Sequence, residues 1–241
     1  MRLPKVLMTT LVALAFLAGL AMPAAAQEDA PLQIEDLEGI QQAVARQFTL
    51  DPSALAEAAT PGATPDGLVG VITMAMSFET EEDAARAVSM LGDDLVRTDL
   101  AGEGGTVEEV QLDIDSDHLA YLISANADGM STTILAAIAQ DDAAINIVMV
   151  ATLGADPEPV ATRTLTDMAE AEAGDGEGTF NPDGTSTGGL WDKLPNAEAL
   201  AGEFPGQVTV EDETLYPESS APVASTPVRV SKPVTASTPA G

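Results

Sequence analysis

Residues 113–118 read Asp-Ile-Asp-Ser-Asp-His, and the last of them is the only histidine in the chain. Carboxylates at alternate positions are what a calcium loop offers at its first, third and fifth places. Asp113, Asp115 and Asp117 fit those places and are the metal-ligand candidates of the sequence. The later places depart from the pattern. His118 stands where the sharp turn needs glycine, and Ser124 where a bidentate glutamate closes the cage. Zinc fits less well, because His118 has no second histidine and no cysteine to join it. Strand alternation explains the same residues more simply. Asp113 and Asp115 are then the outward set of a strand running over 107–115, with Val110, Leu112 and Ile114 inward and Ser116-Asp117 as the turn.

Three further patterns invite a chemical reading. Gly184-Thr185-Ser186-Thr187-Gly188 matches G-x-S-x-G, a nucleophile elbow that works on a strand-to-helix turn with a base in reach. Ser186 lies instead in a Gly/Thr stretch, and His118 precedes it, so a chance match is preferred. Asp175, Glu177, Asn181 and Asp183 supply oxygen donors among glycines, but at no calcium-loop spacing. Leu194-Pro195-Asn196-Ala197-Glu198 begins like a sortase signal and lacks the Thr-Gly pair and the apolar segment that complete one. No catalytic residue and no cofactor is expected from these motifs.

Composition narrows the classes further. Nine Lys and Arg stand against 39 Asp and Glu, a formal net charge of −30. Nucleic-acid binding needs a basic face that releases counterions, and none can be assembled here. The first 26 residues carry Arg2 and Lys5, then an apolar run, then Pro23 and small residues ending at Ala26. That order predicts an export signal cleaved after Ala26 and a secreted or extracytoplasmic protein. The alternative is an uncleaved anchor helix, the one membrane contact expected. With no cysteine in the chain, disulfides, thiol catalysis and iron–sulfur clusters are excluded.

The elements that must position these residues follow from periodicity. Leu37, Ile40, Val44 and Phe48 predict a helix over 35–48. Residues 68–78 are apolar on both faces and predict a strand covered on both sides. Thr80 and Asp83 form a capping-box-like start to a helix with Ala84, Val88, Leu91 and Leu95 as its stripe. Four closely spaced strands follow, turning at Ser116-Asp117, Asp128-Gly129 and Asp141-Asp142, and Asp156-Pro157 opens a last helix. The fold class is therefore α+β over 35–173: an antiparallel sheet of about five strands in a β-α-β-β-β-β-α core, with helices packed on it and an extra N-terminal helix. A disordered lead over 27–34 precedes it. A Gly-rich linker over 174–189, a short docking segment over 190–216 bearing Trp191, and a disordered Pro/Ser/Thr-rich tail over 217–241 complete the chain. The six methionines after Ala26 read as core filler where aromatics are scarce.

With these features the sequence points to an exported, non-enzymatic binding or sensing module, its partner an unknown small ligand or surface protein. A carrier of a small apolar ligand, motivated by the two-faced strands and their methionines, and a cell-surface structural protein are the other readings. An enzyme ranks last.

Overall fold

The structure is a computed structural model, and it describes residues 34–51, 67–97, 105–127, 130–176, 178–217 and 228–230. The export signal, the lead up to residue 33, the Asp128-Gly129 turn and most of the tail lie outside the described residues. The fold is α+β, built on one antiparallel sheet. Its strands are β1 (Ile40–Leu50), β2 (Gly67–Phe78), β3 (Thr106–Glu109), β4 (His118–Ala127), β5 (Met130–Asp141), β6 (Ala144–Leu153), β7 (Val208–Tyr216) and β8 (Val228–Val230). They lie in the order β3-β4-β5-β6-β2-β1-β7-β8. Helix α1 (Glu81–Arg97) covers one face, against Met74, Met76, Ile138, Ile145 and Ile147. Helix α2 (Glu158–Glu170) covers the other, burying Ala161, Leu165 and Met168 in the larger apolar cluster.

In place of the expected N-terminal helix stands β1, preceded by a single 3-10 turn over Ile34–Asp36. Ile40, Val44 and Phe48 recur every four residues, a spacing that suits one face of a helix and, being even, one face of a strand equally. Pairing decides between them. β1 sits between β2 and β7 and hydrogen-bonds to both. Val44, Phe48 and Leu50 then face the α2 side, and Ala43 and Ala45 the α1 side.

The other elements fall near their expected places. β2 is buried along nearly all its length, as two apolar faces require. The Thr80 cap is formed: its hydroxyl accepts from the Asp83 N–H at 3.2 Å and donates to the Asp83 carboxylate at 2.7 Å. At α2 the cap lies one residue later than expected, at Pro157, while Asp156 Oδ1 accepts from the Glu158 N–H at 3.0 Å. Met74, Met76, Met149 and Met168 are core residues.

The strand expected over 107–115 stops at Glu109. Residues 110–117 leave the ladder, yet Leu112 stays buried and Val110 and Ile114 still pack on the core. The sheet also holds more strands than the five expected, because β1 replaces the expected helix and chain beyond residue 173 adds β7 and β8. Residues 174–189, expected as a linker, are folded back on themselves. The Gly174 N–H donates to the Gly189 carbonyl at 2.9 Å, and Thr179 and Thr187 exchange backbone bonds at 2.6 and 3.1 Å. Gly178 and Gly188 take φ of +76° and +80° and approach so closely that a Cβ on either would meet the other's backbone. These glycines serve tight turns, not flexibility. A 3-10 turn (Gly189–Lys193) and the short helix α3 (Ala197–Ala201) follow, and then β7. Trp191 is buried against Phe180, ring centres 5.8 Å apart, and Phe204 stacks on Phe48 at 6.5 Å. Residues 174–205 form a clasp over the α2 face of the sheet, and β7 secures its far end.

Candidate functional site

An arginine inside an apolar strand must find its partners within the protein or destabilise it. Arg46 is 4% exposed on β1. Asp212 of β7 is its register partner. The Arg46 Nε and Nη2 donate to the two carboxylate oxygens of Asp212 at 2.6 and 2.9 Å. Nη1 donates to the Pro195 carbonyl at 3.0 Å, and Nη2 also to the Ser186 carbonyl at 2.9 Å. The Ser186 N–H donates to Asp212 Oδ2 at 2.9 Å. One buried ion pair thus ties two strands to two points of the clasp. The Ser186 hydroxyl accepts from the Asn181 N–H at 2.7 Å and donates to the Asn181 carbonyl at 3.0 Å. Ser186 is therefore a buried structural residue of this latch.

On the same face as the latch, two strands away, lies a polar side chain of the opposite kind. Asn146 is fully buried, and neither its Oδ1 nor its Nδ2 has a hydrogen-bond partner among the described residues. Its parity along β6 matches Val148 and Val150, so it faces the α2 and clasp side. Its register neighbours are Ala75 on β2 and Ala139 on β5. The row continues to Val44 on β1 and His118 on β4, and the next row carries Thr73, Val148, Ala137 and Ala120. Alanines therefore flank the amide on both neighbouring strands. At the end of β5 on this face, Asp141 accepts from Lys193 Nζ of the clasp at 2.9 Å, and the lysine side chain is 8% exposed. Lys193–Asp141 and Arg46–Asp212 pin the clasp to this face of the sheet at two points.

The candidates expected from sequence lie apart from this place. Asp113, Asp115 and Asp117 are exposed on the 110–117 loop. Among the described residues no three acid or histidine side chains are grouped as a metal ion requires. His118 holds that loop in shape. Its Nε2 accepts from the Leu112 N–H at 3.1 Å, which leaves the proton on Nδ1, 2.9 Å from the Ser116 carbonyl that receives it. Of the donors in 175–183, Asp175 is exposed, Asn181 and Asp183 make bonds to Ser186 and Thr185, and Glu177 lies outside the described residues.

Two of the described groups have shifted acidities. The Glu213 carboxyl of β7 is raised above the ordinary carboxylate value, first by partial withdrawal from water and then by the Glu211 carboxylate, although the residue keeps an exposed surface. The Tyr121 hydroxyl is raised by desolvation, then by Glu109 and Asp93.

Motif reasoning passes over Arg46, Asn146, Lys193 and Asp212. Arg46 in Ala-Val-Ala-Arg-Gln-Phe and Asn146 in Ile-Asn-Ile-Val-Met-Val are signals of a kind, each a polar residue in an apolar run. Compared with family models, with curated proteins and with solved structures, the chain matches none. Among the described residues no helix is long and apolar enough to cross a membrane.

Proposed function

We propose that the protein is an exported, non-enzymatic binding module that takes a small ligand between its sheet and its clasp. The observation that carries this reading is Asn146, a wholly buried amide with no partner among the described residues. An unsatisfied buried polar group costs about 1–3 kcal/mol, and native interiors keep few of them. A ligand that offers a donor and an acceptor side by side, such as a primary amide, a lactam or a neutral carboxylic acid, would satisfy both Asn146 atoms. The apolar surroundings of the amide favour a neutral, mainly hydrocarbon body. The two side chains that hydrolytic chemistry would use, Ser186 and His118, are engaged in backbone hydrogen bonds, which supports binding over catalysis. The signal pattern of the first 26 residues supports an extracytoplasmic setting.

The test is native mass spectrometry of the mature protein purified from its own medium, beside an Asn146→Leu variant. A bound small molecule in the wild type that the variant loses is the expected result. A ligand-free wild type, with the amide holding water alone, would overturn the reading, as would a variant that keeps the ligand.

A further inference from the structure

Among the described residues, the outer edge of β7 is only partly covered. Its inner edge pairs with β1 along Val208–Tyr216. On the outer side the Asp212 N–H donates to the Pro182 carbonyl. The ladder with β8 runs only as far as Val210: Val208 with Val230, Thr209 with Arg229 and Val210 with Val228. A sheet edge presents free N–H and C=O groups and recruits any strand that fits. Here the strand comes from the chain's own tail. Pro227 and Pro233 bracket it in the sequence, and proline brings no N–H to a ladder.

Charge matches as well as hydrogen bonding. From Ala221 onward the tail has no acid and carries Arg229 and Lys232, in a chain that is otherwise strongly acidic. β7 carries Glu211 and Glu213 beside the latched Asp212. Strand addition draws affinity from the main chain and specificity from alternate side chains. The Val-Arg-Val sequence of the tail has the composition for both.

Three register pairs make a weak ladder, and the tether compensates. A short covalent connection holds a segment at an effective concentration on the order of millimolar. A competing strand that extends past Val210 must also replace the bond between the Asp212 N–H and the Pro182 carbonyl.

We propose that the outer edge of β7 is a strand-docking surface, held in reserve by Val228–Val230 and taken over by an extended, acid-free segment of a partner protein that alternates aliphatic and basic residues. The test uses the full chain and two variants, Arg229→Pro and Val228→Pro/Val230→Pro, which between them remove the strand's N–H donors of either parity. The probe is a fluorescent peptide with the sequence of residues 226–235, read by anisotropy, with circular dichroism confirming the sheet in each variant. The peptide is expected to bind at least one proline variant about tenfold or more tighter than the wild type, and to lose that binding when its Arg and Lys are replaced by Glu. Equal binding to all three proteins would overturn the proposal. So would variants that dimerise without taking up peptide, which would assign the edge to a second copy of the chain.

Discussion

Arg46 and Asp212 stand 166 residues apart in the chain and 2.6 Å apart in the fold. Removing one partner of such a pair strands the other charge in the interior, so Asp212→Ala is expected to cost about 3–5 kcal/mol, measured by urea denaturation of the full chain. The planar fork of the guanidinium is what lets one side chain meet Asp212, Ser186 and Pro195 together, a geometry no ammonium reproduces. Asn146→Leu has the opposite sign. It removes an unsatisfied amide at similar volume and should stabilise the ligand-free protein by about 1–3 kcal/mol in the same measurement. His118→Ala leaves the Leu112 N–H without its acceptor and should cost about 1–2 kcal/mol. A melting temperature unchanged by that substitution would separate His118 from the loop it is held to order.

At the scale of elements, local signals carry furthest where period and cap agree. Thr80 begins α1 as its sequence pattern says, and Thr80→Ala should lower stability by about 1 kcal/mol, read from the same denaturation curves. Gly39, at the entry to β1, has φ +75° and leaves no room for a Cβ beside Asp83, which ties that entry to the first turn of α1. The pattern of β1 misleads because a four-residue recurrence of apolar residues serves helix and strand alike, and only its two neighbours in the sheet choose. The clasp misleads for a different reason. Glycine marks both flexible linkers and tight turns, and the contact between Gly178 and Gly188 that distinguishes them is made across the loop, not along it.

For the whole molecule, a net charge of −30 makes its response to pH chiefly a matter of carboxylates. Glu213 is raised in the folded state, so the fold holds its proton more tightly than the unfolded chain does. Its contribution therefore favours the fold at low pH and declines as pH rises through the range from the unfolded value to the raised one. Glu213→Gln should flatten that decline, followed by thermal melts across pH 4–7 (about the carboxylate range and above it). A decline that persists unchanged in the variant would assign it to other carboxylates. Composition and near-neighbour pattern are enough for the acidity, the want of thiol chemistry, the α+β class, and the ends of β4, β5 and β6 within about a residue or two. They are not enough to make β1 a strand, to bring residues 174–216 into the domain, to join Arg46 to Asp212, or to leave Asn146 facing no partner among the described residues. Each of these depends on which distant segments share a sheet edge or a sheet face, and the free energy of that choice resides in pairings that no local window of sequence contains.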